Sequence, residues 1–353
     1  MFSSLVPPPS PAAVHMIHDD ASGLDGVVVL HSTALGPAAG GCRFWDYPSA
    51  TEMTADGFRL AEGMAYKNAM ADLPFGGGKA VLRRPQRAFD RHALFEAFGR
   101  AVEGLAGRYV TAEDVGTSVE DMRTVALTTR HVAGLPSSGD RPGGDPSPWT
   151  ARGVFLAMQI AVERRLGRSL AECTVALQGV GHVGGELAKM LHAAGARLVI
   201  ADIDSVAVAR IATITGALVV PVGAILSAKA DVFAPCALGG GLNAATIPML
   251  NAKLVCGAAN NQLATPEDGA RLAERGVLYA PDYVVNAGGI INVAAEYLRW
   301  SAEDARTRIE GTGTRLARVL DLADSSGQPT NIAADQLARA TIAARAAELK
   351  AVA

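Results

Sequence analysis

The 353-residue sequence is poor in aromatic residues and carries little excess charge of either sign. Aromatic side chains make up 5% of the chain, and 32 lysines and arginines nearly balance 35 aspartates and glutamates. A formal charge of -3 provides no overall field that would attract nucleic acid. No basic tract is interleaved with aromatic residues either. We therefore expect no nucleic-acid partner.

Cysteine is also scarce, and no two cysteines form a Cys-x-x-Cys pair or lie near a histidine cluster. Metal sites need closely spaced ligand pairs. The pattern predicts structural thiols, with neither a disulfide nor a metal site. The four residues concerned are Cys42, Cys173, Cys236 and Cys256.

Long apolar runs are missing as well. No stretch reaches the roughly 18 apolar residues that a membrane helix needs. Residues 1–11 lack the positive start and the apolar core of about 7 to 15 residues that mark a secretion signal. These features predict a cytoplasmic protein with no membrane partner.

The length and the 49% content of hydrophobic residues predict two domains of α/β type. Strand and helix patterns alternate in the first part of the chain, with strands at 27–30 and 108–112 and helices at 50–70 and 91–105. The Pro- and Gly-rich stretch 135–148 predicts a long loop at a domain junction.

After this loop, the pattern predicts a doubly wound parallel sheet of the Rossmann type. The predicted boundaries place an N-terminal domain at 1–140, completed by the C-terminal helix at about 328–353, and a dinucleotide-binding domain at 141–327. The elements behind this prediction are helices at 151–164, 186–194, 288–310 and 331 to the end, and strands at 174–177, 198–201, 232–234, 254–256 and 277–279.

A Gly-x-Gly-x-x-Gly motif formed by Gly179, Gly181 and Gly184 lies between a predicted strand and a predicted helix. In a dinucleotide-binding fingerprint the first glycine makes the tight turn, the second admits the pyrophosphate and the third lets helix and strand pack closely. The phosphate then rests on the helix N-terminus, next to His182 and Val183. The motif predicts a dinucleotide site.

The predicted cofactor is NAD. Asp202 ends the next strand, where an acid accepts hydrogen bonds from the adenosine ribose. Ile203 and Asp204 follow, and the next cation is Arg210, so a 2′-phosphate would meet negative charge without a nearby arginine. NAD is therefore favoured over NADP.

Two lysines predict amine chemistry. Lys67 lies near the end of a helical run, and Lys79 follows a predicted loop of three glycines, residues 76–78, where backbone can approach a ligand closely. A lysine with a pKa lowered by burial can act as a base near neutral pH. One lysine could hold a carboxylate while the other transfers protons. Asp114, at the end of a predicted strand, is a third candidate, although a helix cap or a turn would also use an aspartate there.

Seven segments in this order resemble the amino-acid dehydrogenases of the glutamate dehydrogenase superfamily, in the branch that acts on leucine, valine and phenylalanine. The resemblance runs from about residue 25 to the C-terminus. The segments are GPAAGGCR (36–43), YKNA (66–69), GGGK (76–79), TAEDVGT (111–117), GDPSPWTA (144–151), APCALG (234–239) and YAPDYVVNAGG (279–289).

The resemblance implies a role for each candidate residue. Lys67 holds the substrate carboxylate, Lys79 is the base, and Asp114 shuttles protons. Further substrate-binding residues are Ala39, Gly40, Gly41, Ala112, Asn261, Ile290 and Val293. Further cofactor-binding residues are Ser147, Thr150, Cys236, Ala237, Asn260 and Asn286.

The resemblance also implies an activity, namely reversible NAD-dependent oxidative deamination of an apolar L-amino acid to its 2-oxo acid and ammonia. The substrate would lie in a cleft between the domains, and the chain would form a homo-oligomer. The wording of the segments around Asp114 and Asp145 is closer to leucine dehydrogenases than to phenylalanine dehydrogenases.

Three departures from the family pattern leave the substrate side chain open. Ala39 replaces a larger aliphatic residue, Trp149 stands where a small or aliphatic residue is usual, and Ala295 replaces an acid. Leucine, valine or isoleucine is the favoured substrate, and an aromatic amino acid is the alternative. A second alternative is a non-catalytic NAD-binding protein of the same fold.

Overall fold

A computed structural model describes residues 12–136 and 142–352. Residues 137–141 of the predicted loop and residues 1–11 lie outside this range. The described chain divides into two compact units. The first unit holds the residues up to Pro136 and those from Thr341 on, and the second holds the residues between them, up to Ala340. The boundaries predicted from the sequence, near residues 140 and 328, remain predictions.

The first unit alternates strands and helices. Its helix α1 begins after Ser49, whose side chain accepts a hydrogen bond from the backbone N–H of Glu52. The elements of residues 12–136 are β1 (Ala13–Asp19), β2 (Leu24–Ser32), β3 (Ala38–Trp45), α1 (Ala50–Met70), β4 (Gly76–Arg83), α2 (Arg91–Glu103), β5 (Tyr109–Glu113) and α3 (Val119–Ala126).

Within residues 12–136, five strands form a mixed sheet in the order β1-β2-β4-β3-β5. β4 pairs antiparallel with β2 and parallel with β3, so it lies in the middle of the sheet. One face packs Val29 and Val81 against Met53 and Leu60 of α1. The other face packs residues such as Leu82 on α2 and α3. Both faces of β4 are therefore covered, and only well-matched side chains fit there.

The second unit contains the predicted βαβ pattern. A Pro-Ser-Pro sequence opens α4, because proline in the first turn lacks only an N–H that would have no helical partner. The elements are α4 (Ser147–Leu166), β6 (Thr174–Gln178), α5 (His182–Ala193), β7 (Arg197–Ala201), α6 (Ser205–Thr215), β8 (Leu218–Val219), β9 (Val232–Pro235), β10 (Leu254–Val255), α7 (Glu267–Glu274), β11 (Leu278–Tyr279), α8 (Asp282–Val285), α9 (Gly288–Tyr297), α10 (Ala302–Glu310), α11 (Thr312–Ser326) and α12 (Thr330–Val352). Short 3-10 helices lie at Leu170–Glu172, Val222–Ser227 and Ile247–Met249.

Within residues 142–340, six strands form a sheet in the order β11-β10-β9-β6-β7-β8, and every pairing is parallel. This is the strand order of the Rossmann dinucleotide-binding fold. Chain order reverses between β6 and β9, where such sheets bind ligands at the carboxyl ends of the strands. The predicted doubly wound Rossmann unit is confirmed.

Two element predictions were wrong in their bounds. The predicted loop to residue 148 ends earlier, because α4 already begins at Ser147. The predicted helical stretch 288–310 is two helices, α9 and α10, separated at Arg299, whose φ of +56° is left-handed. In the described part of the chain, we find no helix with the length and apolar character needed to cross a bilayer.

Candidate active site

Lys79 lies on the central strand β4, opposite Val29 of β2. Side chains alternate along a strand, and the next-but-one residue, Val81, packs against α1. Lys79 therefore faces α1, the helix that carries Lys67. Lys79 is 5% exposed, and Lys67 is half-buried. A lysine this deep in a protein needs a counter-charge or a functional reason.

The prediction of a loop at residues 76–78 was wrong, because these glycines begin β4. They are not left-handed; they leave room for close neighbours. A Cβ at Gly76 would lie 1.9 Å from the carbonyl oxygen of Ser32, and one at Gly77 would lie 2.2 Å from the backbone nitrogen of Ala65. Glycine therefore lets β2 and α1 approach the strand that presents Lys79.

Asp114 supplies the counter-charge for Lys79. Its carboxylate contacts the Lys79 ammonium, and it follows directly after β5. The Asp114 N–H donates to the hydroxyl of Thr117 at 2.8 Å, which holds the turn. Burial raises the pKa of Asp114, but the charge and contact of Lys79 and the charge of Arg43 outweigh burial and hold the pKa below its usual 3.8. Asp114 is therefore a carboxylate at neutral pH.

Arg43 is a member of this cluster that the sequence reasoning missed. Its Nε lies 3.7 Å from the Asp114 carboxylate, and its Nη1 lies 2.9 Å from Asp56 on α1. Asp56 also accepts from the hydroxyl of Tyr47 at 2.6 Å. Arg43 thus connects the Lys79–Asp114 pair to α1. Its position two residues after Gly41, on the same strand face, was an available signal.

The predicted pocket residues of the first unit lie beside this pair. On β3, a Cβ at Gly40 would lie 1.9 Å from the carbonyl oxygen of Gly78, and one at Gly41 would lie 2.7 Å from the Asp114 Cβ. Ala39 and Ala112 are buried on β3 and β5. The structure therefore brings together the side chains or backbone of Lys79, Asp114, Gly40, Gly41 and Ala112.

In the second unit, the turn after β6 has the geometry of a dinucleotide fingerprint. Gly179 has a φ of +94°, which favours glycine. A Cβ at Gly184 would lie 2.0 Å from the carbonyl oxygen of Gly179, so the helix and the turn are in close contact. A Cβ at Gly181 would meet nothing within 4 Å. The N-terminus of α5, with His182 exposed and Val183 half-buried, is therefore open to an anion.

Asp202 connects this turn to the neighbouring strand β7. Its carboxylate accepts from the N–H of Val180 at 2.7 Å and from that of Asp204 at 3.0 Å. Asp204 in turn caps α6 by accepting from the N–H of Val206 at 2.9 Å. Ile203 between the two acids is 91% exposed. The role of Asp202 toward a ribose remains a prediction.

Four other predicted cofactor residues lie in two places, the turn after β6 and the start of α4. A Cβ at Gly179 would lie 2.9 Å from the backbone of both Cys236 and Ala237, so these two residues border the turn. Ser147 opens α4, and its N–H donates to Asp145 at 2.9 Å. The Thr150 hydroxyl donates to the carbonyl oxygen of Pro146 at 3.0 Å.

Asn286 carries a buried acceptor with no hydrogen-bond partner among the described residues. The residue is 3% exposed, and its Nδ2 donates to the side chain of Asn260 at 2.9 Å. Asn261 next to it has a left-handed φ of +51° and is exposed. An unsatisfied buried acceptor destabilises the protein unless a ligand or water donates to it.

Ile290 and Val293 are half-buried on α9, and their place in a substrate pocket remains a prediction.

Two histidines lie away from this site's charged pair. His131 is buried outside any helix, beside Gly107. His192 lies exposed on α5. All four cysteines are free thiols. Across residues 12–136 and 142–352, no group of three or more His, Cys, Asp or Glu side chains is arranged to hold a metal ion.

These features define a class: a two-unit α/β protein that joins a Rossmann dinucleotide-binding unit to a second sheet with a buried lysine–aspartate pair. Residues 11–131 match the family model described as Glu/Leu/Phe/Val dehydrogenase, dimerisation domain. Residues 200–350 match the model described as Glutamate/Leucine/Phenylalanine/Valine dehydrogenase. The chain therefore belongs to the glutamate/leucine/phenylalanine/valine dehydrogenase family, and the resemblance noted in the sequence is confirmed.

Individual relatives agree with this assignment. The chain is 46% identical to a leucine dehydrogenase from Thermoactinomyces intermedius, over 93% of this chain and 89% of the relative. It is 44% identical to a valine dehydrogenase from Streptomyces coelicolor, over 94% of this chain and 92% of the relative. A solved L-tryptophan dehydrogenase structure from Nostoc punctiforme superimposes with a TM-score of 0.85 at 37% identity, covering 95% of this chain and 97% of that chain.

The family membership establishes the class of enzyme. The chain is an amino-acid dehydrogenase, an oxidoreductase that acts on CH–NH2 donors and uses a nicotinamide cofactor. The match to a dimerisation-domain model indicates that the chain self-associates.

Proposed function

We propose that the protein catalyses reversible NAD-dependent oxidative deamination of branched aliphatic L-amino acids, with leucine, valine and isoleucine as substrates. The observation that carries this proposal is the buried Lys79–Asp114 pair beside the glycines of β3. Relatives named leucine and valine dehydrogenase, at 44–46% identity over more than nine-tenths of the chain, support the substrate class.

The reaction is assembled around Lys79. NAD, when bound, supplies the acceptor for the hydride that leaves the substrate α-carbon. Lys67 holds the substrate carboxylate, and Lys79 takes a proton from the substrate amine as the C=N bond forms. Lys79 passes this proton to solvent through Asp114, so the lysine is neutral when water adds to the imine carbon. Lys79 then takes a proton from that water and gives it to the nitrogen, and ammonia leaves as the new hydroxyl loses its proton and becomes the C=O group. A positioned general base of this kind contributes roughly 10²- to 10⁴-fold to the rate.

Asp114 prepares Lys79 for this role. Because the pKa of Asp114 is held low by Lys79 and Arg43 against the opposing effect of burial, the carboxylate stays charged and stabilises the protonated lysine after each proton transfer. A proton that reaches Asp114 is passed on readily, as a shuttle requires. A protein that only bound NAD would gain nothing from this buried pair, since desolvating two charges is unfavourable.

The second unit fits a dinucleotide. The open backbone at Gly181 would receive the pyrophosphate, and the buried Oδ1 of Asn286 would accept a hydrogen bond from the nicotinamide carboxamide. NAD is preferred over NADP because Asp202 and Asp204 stand together at the end of β7, where a 2′-phosphate would be repelled.

The pocket favours an uncharged side chain. Glutamate needs a cation for its second carboxylate, and Arg43, a cation near the pocket glycines besides Lys79, is already neutralised by Asp56 and Asp114. Ala39 and Ala112 are small and apolar. The small Ala39 and the L-tryptophan dehydrogenase neighbour favour an aromatic amino acid as the second candidate substrate.

The test is absorbance of the reduced cofactor with purified protein, NAD and each of leucine, valine, isoleucine, phenylalanine, tryptophan and glutamate. The aliphatic substrates should turn over with kcat/KM values within about 10- to 200-fold of one another, since one methylene contributes about 1–3 kcal/mol. NADP in place of NAD should give weaker activity. Faster turnover of the aromatic substrates would favour the second candidate.

Two variants test the assignment of the base. Lys79→Met should lose roughly 10²- to 10⁴-fold in kcat. Lys229→Met, which removes an exposed lysine of the second unit, is the matched control and should keep wild-type activity. Equal activity of both variants, or no reduction of NAD with any amino acid, would overturn the proposal.

A further inference from the structure

The strand pairing between β3 and β4 is interrupted beside the pocket glycines. The parallel register places Ala39 opposite Gly77 and resumes with Cys42 opposite Ala80. The residues in the gap are Gly40, Gly41, Gly78 and Lys79. Buried backbone groups in such a gap must find other partners, because an unpaired buried N–H or C=O is strongly unfavourable.

The hydroxyl of Tyr109 spans this gap. Tyr109 lies on β5, on the far side of β3, and is fully buried. Its hydroxyl donates to the carbonyl oxygen of Gly40 at 2.7 Å and accepts from the N–H of Ala80 at 2.9 Å. The hydroxyl of this one side chain therefore takes the place of a backbone hydrogen bond between β3 and β4.

The third glycine of the Gly76–Gly78 series makes room for this ring. A Cβ at Gly78 would lie 3.0 Å from Cδ2 of the Tyr109 ring. The hydroxyl also stays protonated and can always donate, because burial raises the pKa of Tyr109 far above its ordinary value of 10.0. The bridge therefore does not depend on pH in the range where the enzyme works.

We propose that Tyr109 is a positioning residue, whose bridging hydroxyl fixes the distance between the Gly40–Gly41 backbone and Lys79. It does not touch the reacting atoms. It acts through Ala80, the residue next to Lys79, and through Gly40, which lies in the pocket. This inference rests on the proposed function, since it assigns Lys79 the role of the base.

Tyr109→Phe keeps the ring and removes the bridge. Displacement of a catalytic group by about 1 Å lowers the rate by about 10²-fold, so kcat with leucine should fall by about 10- to 100-fold. The KM for NAD should not change, because the turn at Gly179 belongs to the other unit. Tyr279→Phe is the matched control. It removes a buried hydroxyl that accepts from the backbone N–H of Asp282 at 3.3 Å in the second unit, and it should leave kcat unchanged.

Gly78→Ala is a second variant, which pushes the ring while keeping the hydroxyl. It should lower kcat by a smaller factor than Tyr109→Phe. Hydrogen exchange of the backbone amides supplies a readout independent of activity, and Tyr109→Phe should speed exchange in peptides covering residues 38–45 and 76–83 only.

The outcomes separate the two proposals. Wild-type protein that reduces no NAD refutes the proposed function. Active wild-type protein with Tyr109→Phe at full kcat, or with exchange unchanged in those peptides, refutes the role of Tyr109. A loss of thermal stability equal to that of Tyr279→Phe, with no change in kcat, would also make Tyr109 merely structural.

Discussion

Replacing Asp114 by asparagine should lower the free energy of unfolding, because it removes the counter-charge of Lys79. Asp114→Asn keeps the shape but leaves the Lys79 ammonium, 5% exposed, and the Arg43 guanidinium without their shared anion. A unit-charge pair about 4 Å apart is worth about 4 kcal/mol before desolvation at an effective dielectric constant of about 20. Removing one partner of a buried pair lowers the free energy of unfolding by about 3–5 kcal/mol. Since the Asp114 side chain keeps 20% exposure, we expect the lower end, about 3 kcal/mol.

The pH dependence of this loss has a definite sign. The pKa of Asp114 in the folded protein lies below 3.8, so its contribution to stability is complete well above that value and disappears as pH falls through the folded pKa. The difference in unfolding free energy between wild type and Asp114→Asn should therefore be constant from neutral pH down to about pH 5 and shrink progressively below it.

Urea unfolding followed by circular dichroism measures this difference, and kcat with leucine is measured in parallel. Asp46→Asn is the control, because Asp46 is 58% exposed and pairs with Arg84 at 3.4 Å. An exposed pair contributes about 1 kcal/mol or less. Equal effects of the two substitutions, or a difference that grows on acidification, would refute the reasoning.

Two further predictions concern the second unit. Gly184→Ala places a Cβ 2.0 Å from the carbonyl oxygen of Gly179, so it should lower the free energy of unfolding by about 1–3 kcal/mol and weaken NAD binding measured by calorimetry. Gly223→Ala is the control, because a Cβ at Gly223 meets open space. Equal NAD affinity of the two variants would contradict the packing argument. Asp202→Ala removes the carboxylate that holds the Val180 N–H and should shift the kcat/KM ratio of NADP to NAD upward by about tenfold, or about 1.4 kcal/mol; an unchanged ratio would show that Asp202 does not select the cofactor.

Much of the fold could be predicted because its signals are local. Helix α1 runs from Ala50 to Met70 as predicted, and its start is marked by the capping side chain of Ser49. The βαβ unit around Gly179 follows from a short apolar strand, a glycine turn and a helix, which are all adjacent in the chain. In such segments the sequence neighbours and the spatial neighbours are largely the same residues.

The errors concern contacts between distant parts of the chain. Residues 76–78 read as a loop because glycine has no side-chain pattern, while their strand conformation depends on Ser32 and Ala65 packing against them. Arg43 meets Asp114 only because β3 and β5 pair. The hydrogen bond between Ala80 and Tyr109 joins residues 29 positions apart in the chain, on two strands that have β3 between them. No local periodicity encodes contacts of this kind.

The glycine-lined strand that carries Lys79 has a practical consequence for protein engineering. Mutational libraries aimed at new substrates should leave out Gly76 and Gly77, because any side chain there collides with main-chain atoms. Ala39 and Ala112 are the better targets, because they lie on the strands beside the base and already carry a Cβ. Substitutions at these two positions would change substrate selectivity while Lys79 and Asp114 stay unchanged.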